Sequence, residues 1–507
     1  MIFKSISYVT AGLILGRLFS FIKHAIIVKY AGINYSADIF FLANTIPETV
    51  TNVMIAGILT GAFIPLASQI LAKNGSSAFK KFINNSFYFL GTGLLILAGI
   101  LFVFAEKFSH LLAPGYNFQE QNMVANILKI FSPGVLFIGM AGLLTGTLQS
   151  IEKFLVPSFG LFLANLTTIL FIIFYFREYG IYSAAIGTSL GFFLWFIYQI
   201  PFTFKFLIPI NRLDIKNEDV SRLLSLTIPT ILIIAISNFV LIFEKIFATE
   251  LPMGTITQIN LAFRLALIFS SILVLPLGTV LLPKLSKQYT KENFDRLYEI
   301  IHNSFVIVSI LLVVVVITIL INARFIVDII YRPLGISEDA FLKIGGYLKV
   351  YTFAFLGLFF YPIILRVFFA IQKVKYLLVA SILGFVSYIV FVFLLISKLQ
   401  GYVLPLGYGV FYFIVVIFLF WMMKKNIFPN RQVSFDRFIV EIGSLYIAIT
   451  LAFIYLSGIY PIKIYIQFLI SLILIGSYLF LLRKQLLGSF MTYSKITREE
   501  LKYKNEK

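Results

Sequence analysis

The segment Ile256–Leu275, ITQINLAFRLALIFSSILVL, carries a single charge, Arg264. It is long enough to cross the roughly 30 Å hydrocarbon core of a bilayer as one helix. A guanidinium near the middle of such a helix opposes insertion by about 2.5–3.5 kcal/mol, so it is expected to face a polar interior and meet an anion there. An arginine that snorkels to a headgroup, or pairs with a helix carbonyl, is the competing reading. Arg264 lies about 15 Å of helix rise inside the segment, which favours the internal role.

The whole chain has the same character. With 60% hydrophobic and 12% charged residues and a mean hydropathy of +0.98, it departs from soluble domains, whose charged fraction is about 25%. The fold class expected is an all-α polytopic membrane protein. The net charge of +19 does not point to nucleic acid, because no basic block is interleaved with aromatics. The absence of cysteine excludes disulfides and thiolate metal sites, and His24, His110 and His302 stand apart in sequence, so no His-based catalytic cluster is suggested. No small-residue cleavage site follows the first apolar run, which reads as a retained span.

Apolar runs of bilayer length fall near 6–28, 38–67, 83–105, 123–149, 155–176, 181–204, 222–248, 255–282, 303–322, 343–370, 375–397, 402–423, 438–458 and 462–482, giving about fourteen transmembrane helices. Pro47, Pro133, Pro229, Pro276 and Pro362 interrupt several of them, so kinks are expected. With the N-terminus in the cytoplasm, Lys and Arg divide about 27 to 8 in favour of the inner side. Both termini are therefore expected to be cytoplasmic, in a multi-pass protein of a bacterial cytoplasmic (inner) membrane.

Landmarks recur at a nearly constant offset. Pro65-Leu-Ala-Ser68 is echoed by Pro283-Lys-Leu-Ser286, Pro114-Gly115 by Pro333-Leu-Gly335, Gln149–Lys153 by Phe369–Lys373, and Gly180–Gly187 by Gly401–Gly407. Two parallel six-helix repeats are expected, an N-lobe at 1–210 and a C-lobe at 217–425, with a substrate path between them. The span 436–485 lies outside the duplication as two accessory C-terminal helices, and 486–507 is a polar cytoplasmic tail.

Several segments resemble the MurJ (MviN) family of lipid II flippases, within the multidrug/oligosaccharidyl-lipid/polysaccharide exporter superfamily. They are Gly16–Gly32, Ala37-Asp38-Ile-Phe-Phe41, Ile46-Pro47, Gly61–Pro65, Leu112-Ala-Pro-Gly-Tyr116, Leu251-Pro-Met-Gly254 through Ala262-Phe-Arg264-Leu265, and Leu282–Ser286. The resemblance covers nearly the whole chain. It implies a V-shaped pair of lobes around a cationic cavity, with a groove along the last two helices for a polyprenyl tail. It also implies cavity roles for Arg17, Lys23, Asp38 and Arg264, lysine replacing arginine at 23. Thr51 and Asn52 stand where the family usually places arginine, and Ala56-Gly57 where Glu-Gly is usual.

Arg17, Lys23 and Arg264 can supply charge-assisted bonds to a diphosphate, arginine with its planar fork and lysine without it. Arg17 and Lys23 are six apart, so they project about 240° apart around one helix. Asp38 begins the second span, where it either caps free amides or serves as an outer gating partner for Arg17 or Arg264. The resemblance also implies Glu244 as the candidate coupling-ion residue; it is adjacent to Lys245 and about 100° from it around the helix.

The expected function is transfer of an undecaprenyl-pyrophosphate-linked peptidoglycan precursor to the outer leaflet by alternating access. The alternatives are a flippase for lipid-linked polysaccharide or O-antigen units, or a drug or cation antiporter of the same superfamily. No catalytic cofactor is expected, and coupling to sodium, protons or membrane potential stays open. Expected partners are the glycan lipid, membrane lipids and other cell-wall synthesis proteins. An enzyme is not expected: the outer loops near 106–122 and 323–342 are short and hold no paired acid/base constellation.

Overall fold

The computed structural model describes residues 2–207, 218–427, 437–459 and 463–489, and all regular structure among them is helical. This is the form an apolar chain must take in lipid, where backbone polar groups have to be satisfied within the segment. In order come α1 (Ile2–Ala31), α2 (Tyr35–Ala43), α3 (Thr45–Asn52), a π-helical stretch (Val53–Phe63), α4 (Ile64–Val103), α5 (Ala105–Leu112), α6 (Phe118–Ser150), α7 (Leu155–Ser158), α8 (Gly160–Tyr179), α9 (Tyr182–Thr203) and α10 (Glu218–Ala248). They are followed by α11 (Thr255–Leu273), α12 (Leu275–Thr290), α13 (Phe294–Tyr331), α14 (Glu338–Tyr351), α15 (Phe355–Ala370), α16 (Val374–Leu399), α17 (Val403–Asn426), α18 (Arg437–Ile459) and α19 (Ile464–Leu481).

Among the described residues, eight helices are long and apolar enough to cross a membrane, or nine if the bent pair Ile466–Leu481 and Arg483–Ser489 is one span. That number is smaller than the fourteen apolar runs because several runs are broken or fused. The second is divided among α2, α3 and the π-helical stretch and the eighth between α11 and α12, while α16 and α17, two helices packed on each other across the turn at Gln400, count together as the stretch Val374–Asn426. Pro133, Pro201 and Pro362 lie inside helices, and Gly75, at φ +79°, breaks α4 into two.

The offset of the expected duplication recurs in backbone conformation. Positive φ recurs in pairs: Gly32 with Gly254, Gly75 with Glu292, Glu152 with Gln372, and Gly180 with Gln400. At the third pair even the bonding repeats. Glu152 N–H donates to Gln149 O and Lys153 N–H to Leu148 O, as Gln372 N–H does to Phe369 O and Lys373 N–H to Phe368 O. The same tight turn therefore joins helices at two places 220 residues apart, Glu152 and Gln372.

By packing the chain divides differently, into Met1–Asn260 with Leu334–Ile336 and Leu261–Pro333 with Ser337–Lys507. The division falls inside α11, and not at the repeat junction 210–217, which lies outside the described residues. The reason is α10, which packs on α2, α3, α4, α5 and the π-helical stretch of the first unit. In that unit Phe63, Phe79, Phe82, Leu66 and Leu143 form a buried apolar core. In the second, α18 and α19 lie on α13, where Val306, Ile310, Val313, Ile317 and Ile321 meet Tyr446, Tyr478 and Leu482.

Candidate functional site

In the first unit, polar groups converge where α10 ends and α11 begins. Asn34 caps α2, its Oδ1 accepting from the N–H groups of Ser36 and Ala37. Asp38 is thus not the cap of its own helix, as one sequence reading had it. Its buried side chain crosses to α11 instead. Oδ2 accepts from Gly254 N–H at 2.6 Å, and Oδ1 accepts from Thr257 N–H at 2.7 Å and from the Thr257 hydroxyl at 2.5 Å. A carboxylate here satisfies otherwise unpaired amides at the helix start and complements the dipole, so Asp38 caps α11 from more than two hundred residues away.

Two glycines make this close approach fit. Gly254 adopts φ +88°, and a Cβ there would meet the Ile33 side chain at 2.7 Å. Gly115 donates its N–H to Thr249 Oγ1 at 3.1 Å, and a Cβ would lie 2.3 Å from the Thr249 carbonyl oxygen. Asp38, the Pro114-Gly115 loop and Leu251-Pro-Met-Gly254, quoted separately from the sequence, therefore belong to one corner of the fold.

Lys245 is buried, and its Nζ donates to Phe41 O and Thr45 Oγ1, both at 2.7 Å. It places a cation at the C-terminal turn of α2, where the dipole favours one. Its neighbour Glu244 is also buried. Among the described residues no group of three His, Asp or Glu side chains gathers as a metal-ligand set.

Arg17 is exposed on α1 whereas Lys23 is buried, so the 240° between them separates two environments. Arg264 belongs to the second unit and is half-buried on α11. The Phe263 ring packs against Tyr351 at 5.4 Å and edge-on to Tyr408 at 5.3 Å, while the Tyr331 hydroxyl donates to Leu261 O. This aromatic frame orients the turn that carries Arg264. Nothing in the amino-acid pattern signals it, since these tyrosines are scattered over three helices. Two more half-buried cations, Lys349 on α14 and Arg366 on α15, were not among the cavity candidates; their signal was charge inside an apolar run.

A family model described as lipid II flippase MurJ matches residues 27–478. The chain belongs to the MurJ family of lipid II flippases. A probable lipid II flippase MurJ from Buchnera aphidicola subsp. Schizaphis graminum is 25% identical over 470 residues, covering 91% of this chain and 90% of that protein. A solved lipid II flippase MurJ in an inward closed conformation has a TM-score of 0.79 at 20% identity, covering 94% of this chain and 99% of that one. An inward-facing MATE family multidrug resistance transporter of the MOP superfamily has a TM-score of 0.68 at 13% identity, covering 84% of this chain and 99% of that one. At such identities the structures speak for the fold. The fold of this MurJ-family chain is thus shared with drug exporters, and its family membership rests on the sequence match.

Proposed function

We propose that this protein carries lipid II, the undecaprenyl-pyrophosphate-linked peptidoglycan precursor, from the inner to the outer leaflet of the bacterial cytoplasmic membrane by alternating access. The observation that carries this reading is the family match over residues 27–478, supported by a relative aligned over nine-tenths of both chains. It favours lipid II over lipid-linked polysaccharide, and a carrier over an enzyme or drug antiporter. The polypeptide crosses the membrane fourteen times with both termini in the cytoplasm, an orientation supported by the distribution of Lys and Arg.

A diphosphate crossing about 30 Å of hydrocarbon needs cationic partners throughout. Arg17, Lys23 and Arg264 take this role. Exposed Arg17 and half-buried Arg264 suit a headgroup that must be both bound and released, and buried Lys23 suits a supporting charge. Asp38 acts as a positioning residue through α11, the helix that carries Arg264. Glu244 stays the candidate for a coupling ion. The test is complementation of a conditional lipid II flippase depletion strain with direct measurement of outer-leaflet lipid II. Restored growth with restored outer lipid II is expected; growth failure with the protein correctly inserted would point to another lipid-linked substrate.

A further inference from the structure

α1 and α3 bring together two titratable side chains that the proposed flippase cycle does not use. His24 is buried at 1% exposure, with its imidazole stacked on the Phe41 ring at 5.5 Å and 8° between planes. Its Nδ1 lies 2.6 Å from the carbonyl oxygen of Ser20. A carbonyl only accepts, so Nδ1 carries the hydrogen. Nε2 faces Glu48 Oε1 at 3.6 Å, and the same oxygen accepts from Asn44 Nδ2 at 2.9 Å, which holds the carboxylate in place.

This arrangement sets two acceptors face to face. In the neutral Nδ1–H tautomer Nε2 is an acceptor, and an ionised carboxylate is acceptor only, so the two oppose each other across 3.6 Å. A proton on Nε2 turns the opposition into an ion pair at that distance, and a small rotation of either side chain would close it to a charge-assisted hydrogen bond. The neighbouring charges argue against a second proton. Lys23 is buried one residue away on α1, and Lys245 of α10 reaches Thr45 on α3, three residues before Glu48. Both favour an ionised Glu48 and disfavour further positive charge.

The other titratable groups on the packed elements are committed or remote. Asp38 on α2 is taken up by Gly254 and Thr257, and Lys129 on α6 by Glu106. Glu244 on α10 is buried; Arg177 and Glu178 end α8, Glu120 begins α6, and Asp219 and Arg222 begin α10. The Glu48 side chain retains 33% exposure against 1% for His24, so the carboxylate is the entry for a proton. Its helix, α3, ends directly at the π-helical stretch Val53–Phe63, a backbone state that often marks functional sites.

We propose that His24 and Glu48 form a proton-binding site, taking up one proton on Nε2 as the ion-pair partner of Oε1, whose loading biases α3 and the adjoining π-helical stretch during transport. The binding half stands on the geometry; the transport half rests on the flippase reading above.

The test uses full-length protein in lipid nanodiscs with 15N-labelled histidine. The chain holds three histidines, so His24→Gln assigns the resonance. Wild-type His24 should show one pH-dependent transition with the Nδ1–H bond retained throughout. Glu48→Gln keeps the shape and removes the carboxylate, and should lower the midpoint by about one pH unit or more. A resonance that does not change between about pH 4 and 9, or that titrates identically in Glu48→Gln, overturns the site. Lipid II flipping in proteoliposomes should depend on pH in the wild type and lose that dependence in both variants. Identical pH profiles in all three overturn the transport half. No flipping by the wild type at any pH overturns the flippase reading instead, and the resonance still decides the site.

Discussion

Gly180 and Gln400 end equivalent helices in the same backbone conformation, with φ/ψ of 53°/−137° and 48°/−138°. Each N–H donates to the carbonyl four residues earlier, that of Phe176 or Ile396. Glycine adopts this region freely, whereas an L side chain is strained there by about 1–3 kcal/mol. Gln400→Gly should therefore stabilise the protein by about 1 kcal/mol, because glycine's greater freedom in the unfolded chain offsets part of the relief. Gly180→Gln should destabilise it by a similar amount, although no atom lies within 4 Å of a Cβ at that position. Thermal unfolding in detergent checks both, and a Gln400→Gly variant that melts below the wild type would contradict the strain.

Asp38→Asn should cost about 1–3 kcal/mol. The amide keeps one acceptor oxygen but turns its NH2 toward an N–H that a carboxylate oxygen now serves, that of Gly254 or that of Thr257. Flipping should fall together with thermal stability, because the residue acts through the start of α11. If Asp38→Asn abolished flipping at unchanged stability, Asp38 would be a gating residue and not a cap.

The helical membrane class was legible because apolar runs are local, and the turn landmarks supplied the offset at which backbone conformation repeats. Gln372 and Glu152 could be paired by offset before any coordinates, and both proved to sit at positive φ. The contacts that build the corner were not legible. Periodicity describes the faces of one element, but Lys245 meets Phe41 and Asp38 meets Thr257 across more than two hundred residues. His24 looked isolated for the same reason, its partner Glu48 standing on another helix. The π-helical stretch Val53–Phe63 was hidden too, since its apolar composition is equally that of an α-helix. Arg264 was found because one charge in a long apolar run is costly wherever it lies.

Arg264→Ala should abolish transport while leaving insertion intact, because removing a half-buried charge from α11 eases insertion. Arg264→Lys should recover only part of the activity, since it restores charge without the planar fork. Expression and thermal stability, measured beside lipid II flipping, separate the two effects. Wild-type flipping by the alanine variant would make Arg264 a structural residue.

Orientation can be tested directly because the chain has no cysteine of its own. Lys291→Cys, in the turn between α12 and α13, should resist an impermeant thiol reagent in intact cells and react after permeabilisation. Lys107→Cys, on α5, should react in intact cells. Labelling of position 291 from outside would invert the topology.

The terminal pair gives the last prediction. α18 and α19 rest on α13 through an apolar face, tied to it by Asn322 Nδ2 donating to Ser471 Oγ at 2.8 Å and to each other by the Tyr446 hydroxyl donating to Ser477 Oγ at 2.9 Å. They keep large apolar side chains exposed, among them Leu445, Tyr455, Leu469, Ile473 and Phe480. A polyprenyl tail is too apolar for a cationic cavity, and each methylene it buries against such a surface contributes about 0.8 kcal/mol. Truncation after about residue 430 removes the pair from outside the duplicated unit. The shortened protein should insert and bind a soluble diphospho-sugar headgroup analogue with unchanged affinity, while flipping of the full lipid falls at least about tenfold, the equivalent of losing about 1.4 kcal/mol or two buried methylenes. Flipping at the intact rate by a normally inserted truncation would leave the pair as a folding scaffold, and loss of headgroup binding would show that it supports the cavity itself.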